Sequence, residues 1–314
     1  MTGTSVARTA SPRLVLALSL LGISFAGPLV RLSSEDPLAI AVWRLCFSLI
    51  IVAVALGLSG EWRQWRNLSL PHAALAALSG TALAFHFWAW NASIHLTTIA
   101  ASVTLVSLQP VFVAAISAVM LREAPSARQI AGIGLAIFGA VVIASQDFGS
   151  LGSVTGSRAM LGNLLATSAA VTAAIYYTAG RHLRGYYGLW AYVGLAYTAC
   201  AIVLVVLAIA NGTSLYPENP QREFSIFIAL AIGPMLLGHT GMNWALKYLP
   251  AYIVNLVVLG EPIGATLLGA VLPGIGQIPS FVTVAGGAII LAGVLVAATA
   301  KPARSPADNR TDAG

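Results

Sequence analysis

The sequence predicts an all-α integral membrane protein of ten transmembrane helices, arranged as two inverted five-helix repeats around a central cavity. Composition, apolar run length and an internal repeat predict it. Of the 314 residues, 58% are hydrophobic and only 8% charged, whereas about a quarter of a soluble domain is charged. The basic residues stand singly between apolar runs. The net charge of +6 therefore marks topology, and no nucleic-acid surface is expected.

Ten apolar runs approach the roughly 20 residues needed to cross a bilayer. They cover 14–30, 38–57, 71–91, 97–120, 127–145, 160–180, 188–210, 224–244, 251–272 and 280–299. The first follows Arg8 and Arg13 as in a signal peptide, but no small-residue cleavage site and soluble domain come after it, so it is read as a span. Lys and Arg counted on alternate sides of the spans divide twelve against three, with Arg31, Arg158 and Arg222 in the minority. Both termini are thus expected in the cytoplasm. The expected location is the plasma membrane, a bacterial inner membrane. Cys46 and Cys200 lie singly in apolar runs and are assigned to packing.

The repeat is visible without a gap over 24 residues: NASIHLTTIAASVTLVSLQPVFVA, from Asn91, lies on NWALKYLPAYIVNLVVLGEPIGAT, from Asn243. Asn91 meets Asn243 and Pro110 meets Pro262. After a two-residue insertion, Pro125, Ser126, Gly132 and Gly139 meet Pro279, Ser280, Gly286 and Gly293. Five spans per half make the second half enter from the opposite face. The expected parts are an N-terminal segment 1–13, a first repeat 14–145, a linker 146–159, a second repeat 160–299 and a disordered tail 300–314. Two inverted halves have two equivalent packings, and exchanging them opens a central site to each side in turn. A transporter is the functional expectation; a duplication that only stabilises a scaffold is its bland counterpart.

Several segments carry a resemblance. Pro37, Leu38 and Arg44 of the second span, the asparagine-to-proline runs of the fourth and ninth, and LREAPSARQIAGIGLAIFGAVVI (121–143) together resemble the EamA-like branch of the drug/metabolite transporter superfamily over about residues 14–299. The resemblance implies ten helices in two inverted repeats and export of amino acids, other small metabolites or drug-like compounds. The second half departs from the pattern, since Gln277 stands where the first half has Glu123.

Glu261 stands about ten residues into the ninth span, about 15 Å deep, where a carboxylate costs roughly 2.5 to 3.5 kcal/mol. Pro262 after it removes a backbone donor and frees the carbonyl of Val258, and Pro110 does the same to Val106. Irregular backbone at that depth belongs where it packs in protein or lines a cavity. Glu261 either binds a proton or a substrate amine, or stays protonated and donates to a freed carbonyl. It has no twin, because Gln109 precedes the first proline.

Arg44 is the one basic residue well inside a span. It either recognises a substrate carboxylate with its forked donors or pairs statically with Glu261 or helix-end carbonyls. Trp43 beside it is either a substrate platform or interface packing. His86 with Trp90, and His239 with Asn243, are each one helical turn apart and share a face. These pairs, with Asn91 and one of Tyr176 and Tyr177, either line the cavity or hydrogen-bond between helices. Gly260 and Gly264 make a small-residue stripe for close helix approach. His95, Thr97 and Thr98 read as turn and cap residues.

No phosphate-cradling loop, metal-ligand spacing or activated nucleophile is present in the sequence, so no ATP, metal or other cofactor is expected. The expected function is a secondary transporter of small organic solutes, an exporter working by alternating access, with proton coupling through Glu261 as a subsidiary hypothesis. An uncoupled facilitator, or an enzyme acting on a lipid-borne substrate, is the alternative. The expected partners are a small-molecule substrate and the lipid bilayer, with a monomer as the simplest assembly.

Overall fold

The structure is a computed structural model that describes residues 11–121, 126–148, 154–249 and 251–299. Glu123, Pro125, the 300–314 tail and the middle of the linker lie outside the described residues. Fourteen α-helices make up most of the described chain: α1 Pro12–Ser24, α2 Ala26–Leu32, α3 Pro37–Ser59, α4 Leu70–Leu96, α5 Ile99–Val106, α6 Gln109–Leu121, α7 Ala127–Phe148, α8 Val154–Leu183, α9 Leu189–Ala210, α10 Pro220–Leu230, α11 Gly241–Ala245, α12 Ala251–Leu256, α13 Glu261–Val271 and α14 Phe281–Thr299. The helices α7 and α8 reach into the expected linker from both sides.

Polar caps at the membrane boundary explain the starts. Asp36 accepts from the Leu38 amide at 2.8 Å, Thr98 from Ala101 at 3.1 Å and Asn219 from Arg222 at 3.3 Å, each satisfying an amide that the first helical turn leaves free. Gln277 takes the same role from a distance, accepting from the Ile99 amide at 3.0 Å. Its departure from the first-half pattern thus has a structural use.

Among the described residues, seven helical stretches are long and apolar enough to cross a membrane: 12–32, 37–59, 70–96, 99–116, 156–183, 189–210 and 220–245. Three shorter apolar helices, Ala127–Ile143, Val257–Val271 and Phe281–Ala297, accompany them. Large apolar side chains such as Ile50, Val54, Ile137, Ile202 and Leu267 are exposed on the perimeter. That is the surface of a multi-pass membrane protein, whose solvent there is hydrocarbon.

Pro110 and Pro262 each stand at a helix break. The helix α5 ends at Val106 and α6 restarts at Gln109; α12 ends at Leu256, a 3₁₀ turn covers Val257–Gly260, and α13 restarts at Glu261. Pro110 and Pro262 are each the second residue of a new helix, where no intrahelical partner is missed. The carbonyls of Val106 and Val258 therefore sit at helix breaks and not inside strained helices.

Packing pairs elements of the two halves reciprocally. The helix α1 packs on the Ala231–Thr240 stretch and α8 on α4; α5 packs on α8 and α13 on α1. Between α7 and α14, Gly132 faces Gly293 and Gly139 faces Gly286. Gly260 and Gly264 lie against Leu20 and Ser24 of α1, which is the close approach expected of that stripe.

The α7–α14 glycine contacts are backbone to backbone. A Cβ on Gly132 would lie 2.5 Å from the Ala297 nitrogen and 2.6 Å from the Gly293 oxygen, whereas one on Gly134 would meet nothing within 4 Å. Overpacking a rigid contact costs about 1 to 3 kcal/mol. Gly132→Leu is therefore expected to lower the unfolding temperature of the detergent-purified protein, and Gly134→Leu to leave it unchanged.

Candidate functional site

The helix breaks meet at a central cavity of about 30 Å³, with room for little more than a water molecule. Its wall takes residues from several elements. Arg44 comes from two turns inside α3; His86, Phe87 and Trp90 from α4; Gln109 from the start of α6; and Tyr177 from α8. His239 comes from the Ala231–Thr240 stretch, Met242 from α11, and Glu261 from the start of α13.

Ala231–Thr240 is wound as a π-helix around Pro234, with the Thr240 hydroxyl donating to the Met235 carbonyl five residues back at 3.2 Å. Wide turns of this kind are frequent at functional sites. Here the turn carries His239 against the cavity, where its ring stacks on Tyr177 at 11° and its Nδ1 lies 3.0 Å from the Tyr177 hydroxyl. His86 is fixed on the other side: its Nδ1 donates to the Ala169 carbonyl at 2.9 Å. A neutral imidazole held this way keeps its Nε2 as an acceptor.

Arg44 is 1% exposed, and its Nε and Nη1 have no hydrogen-bond partner among the described residues. Its guanidinium carbon lies 4.1 Å above the Phe87 ring. The expected static pairing with Glu261 is absent. Among the described residues the one salt bridge joins Arg222 to Glu223 at 3.0 Å, far along the chain from either. The cation–π contact keeps a desolvated cation tolerable while leaving its donors unspent. The Trp90 Nε1 is a further buried donor on this wall without a partner among the described residues.

Glu261 is 7% exposed, and its carboxyl group makes no hydrogen bond among the described residues, so the expected donation to a freed carbonyl is not formed. It stands at the first position of α13, where the positive end of the helix dipole favours a carboxylate by about 0.3 to 1 kcal/mol. Its counterpart Gln109 is spent on a hydrogen bond to the Asn255 side chain, which ties the two helix breaks together.

Other candidates stand behind the cavity. Trp43 points elsewhere, its Nε1 donating to the Leu215 carbonyl at 2.6 Å and its ring packed on Phe47 and Phe224. Adjacent helix positions differ by about 100°, so Trp43 and Arg44 face different ways. Asn91 donates to the Pro37 carbonyl at 3.1 Å. Asn243 donates to the Tyr176 hydroxyl, and to the His239 carbonyl at 2.7 Å. Tyr176 and Asn243 thus buttress Tyr177 and His239 from the side of Arg184, whose Nε donates to the Asn243 carbonyl at 3.0 Å. Ser33 donates to Glu223 at 2.6 Å, away from the cavity wall. Thr98 caps α5, as expected, and Thr97 ends α4.

Phe87 and Met242 border the cavity without having been singled out in the sequence. The i to i+4 spacing selects His86 and Trp90 as one face, and the cavity wraps wider than one stripe. With a cation, a carboxylate, two imidazoles and an indole around a small space, the site suits a solute carrying both polar and apolar parts. The contracted volume means that the walls must part before such a solute enters.

The sequence profile of the EamA-like transporter family matches residues 12–145 and again 160–299. An uncharacterized transporter of Archaeoglobus fulgidus is 26% identical over 292 residues, covering 90% of this chain and 96% of that protein. A probable terminal-alkyne amino-acid exporter of Streptantibioticus cattleyicolor is 26% identical over 285 residues, covering 90% and 91%. A crystal structure at 21% identity superposes with a TM-score of 0.62 over 92% of this chain and 97% of the other, a likeness of fold.

Proposed function

We propose, because this chain belongs to the EamA-like transporter family and is a membrane transporter and not an enzyme, that it exports small organic solutes bearing a carboxylate, amino acids or related metabolites, by alternating access. In this reading, ten spans form two inverted five-helix halves, 14–145 and 160–299, with both termini on the cytoplasmic side of a bacterial plasma membrane. The reciprocal packing of α1 with Ala231–Thr240 and of α8 with α4, and the Gly132–Gly293 and Gly139–Gly286 contacts, support the two-fold relation. The excess of basic residues on one side supports the orientation.

The observation that carries the substrate class is Arg44, buried with two unpaired donor nitrogens, Nε and Nη1, on a cavity at the helix breaks. A membrane interior tolerates such a group where it serves a ligand or a pathway. Glu261 on the same cavity suits the ammonium of an amino acid or a coupling proton. The amino-acid exporter among the relatives agrees with that choice. Drug-like solutes would use the aromatic wall of Phe87, Trp90 and Tyr177. Arg44, His86, Trp90, Tyr177, His239 and Glu261 act as the contact residues, and Tyr176, Asn91 and Asn243 as their supports.

Flux of radiolabelled amino acids in proteoliposomes of the purified chain tests this. Saturable transport of a carboxylate-bearing solute, with much weaker transport of its methyl ester, is expected. Equal rates for acid and ester would remove Arg44 from recognition. No flux of any amino acid would overturn the substrate class.

A further inference from the structure

A second concavity, about 290 Å³, opens on the perimeter between α5, α13 and α14. Thr104, Pro262, Ile263, Thr283, Gly287 and Leu291 mark its extent, and no charged residue among those described borders it. Two of the three wall hydroxyls are spent, Thr104 donating to the Ala100 carbonyl at 2.7 Å and Thr283 lying 3.0 Å from Ser280 Oγ; the third, of Thr266, is half-buried and makes no hydrogen bond among the described residues. The floor at Thr104 and Thr283 is buried, whereas the rim residues Ile263, Leu267 and Val284 are exposed and continue the apolar perimeter that runs to Val271 and Leu295. In a multi-pass membrane protein that perimeter is the hydrocarbon interface, so the groove opens into lipid tails.

Its dimensions fit one tail. From Thr283 to Leu291 the groove runs eight residues of α14, about 12 Å at 1.5 Å per residue. One leaflet of hydrocarbon is about 15 Å thick. A recess walled almost wholly by apolar atoms, with one spare hydroxyl and no charge, offers too few polar partners to hold water or an ion, but it holds an apolar guest.

We propose that one acyl chain of a phospholipid, from the leaflet on the side of the Leu272–Ser280 connection, occupies this groove as a bound lipid. It lies against Pro262 and Ile263, the first turn of α13, on the back of the half-helix that starts with Glu261. The bound tail therefore steadies α13 against α5 and α14. Any effect on transport rests on the proposed transport function, but occupancy does not.

Native mass spectrometry of the delipidated full chain tests occupancy, after incubation with dioleoyl phosphatidylcholine or, separately, dioleoyl phosphatidylglycerol. One lipid retained per chain is expected with either headgroup. Ala288→Phe, which fills the groove, should retain about ten-fold less, and Val206→Phe on the exposed face of α9 should retain as much as the parent. Should Ala288→Phe fail to fold, the smaller Ala288→Leu is expected to retain about three-fold less. Equal retention by groove-filled and parent chains, no retention by the parent, or retention of phosphatidylglycerol alone would overturn the proposal. Because flux is not read, this outcome is separate from the fate of the transport function.

Discussion

Arg44→Met is expected to unfold at a higher temperature than the parent chain and to transport carboxylate-bearing solutes at least about 100-fold more slowly. The two effects come from one cause. A guanidinium inside a span costs roughly 2.5 to 3.5 kcal/mol, and the contact with Phe87 at 4.1 Å returns about 1 to 2 kcal/mol of it. With Nε and Nη1 unpaired, little else in the closed state compensates the cost. An apolar side chain of similar length relieves the remaining cost of about 0.5 to 2.5 kcal/mol, as replacing buried charge often does.

The solute loses more than the fold gains. A hydrogen bond to a charged group contributes about 1.5 to 3 kcal/mol, so two forked bonds to a carboxylate exceed the roughly 2.8 kcal/mol that separates rates by 100-fold. Thermal unfolding in detergent and proteoliposome flux measured on the same preparation decide the matter. A structural arginine predicts the reverse pattern, with a lowered unfolding temperature and flux lost for charged and neutral solutes alike. Arg44→Lys keeps the charge and loses the fork, so it should discriminate against the carboxylate while leaving stability near that of the parent.

What the sequence made legible was whatever depends on burial and repetition. Asn91 with Asn243 and Pro110 with Pro262 aligned by offset alone; Glu261 and Arg44 stood out singly in apolar runs, His86 with Trp90 and His239 with Asn243 as one-turn pairs, and Tyr177 as one of two adjacent tyrosines. The structure brings Glu261, Arg44, His86, Trp90, Tyr177 and His239 together at one cavity. Three things were not legible. Whether proline kinks a helix or starts one depends on where the preceding helix stops, and at Val106 and Leu256 it stops just early enough to place the proline second. The π-wound Ala231–Thr240 stretch depends on tertiary support, the Tyr197 hydroxyl lying 2.9 Å from the Thr240 hydroxyl. Trp43 was grouped with Arg44 by adjacency, although adjacent residues on a helix face apart.

Glu261→Gln is expected to lose pH-gradient-driven flux by at least about ten-fold while keeping solute exchange within about two-fold of the parent, the two ratios separating a lost proton step from lost binding. The first half of the chain already contains the control. Gln109 occupies the same place at the start of α6, followed by the same proline, so a neutral amide is compatible with this helix start. The carboxyl group of Glu261 also holds no hydrogen bond among the described residues that the substitution would break, and the lost dipole interaction is only about 0.3 to 1 kcal/mol. Folding should therefore survive, which thermal unfolding checks. A side chain that faces a cavity without a fixed partner can gain and lose a proton without rearranging the protein, and a carrier that exchanges two packings needs such a group to make the packings unequal in the two protonation states. Arg44 lines the same wall, and in the proposed mechanism a bound carboxylate and an ionised Glu261 compete for it, which would couple solute and proton occupancy through one cation. On that proposal the Glu261→Gln substitution is expected to remove the proton arm and to leave the solute arm intact. Gradient-driven flux at the parent rate in the variant would show that Glu261 does not carry the proton, and equal collapse of exchange and driven flux would make it a binding residue instead.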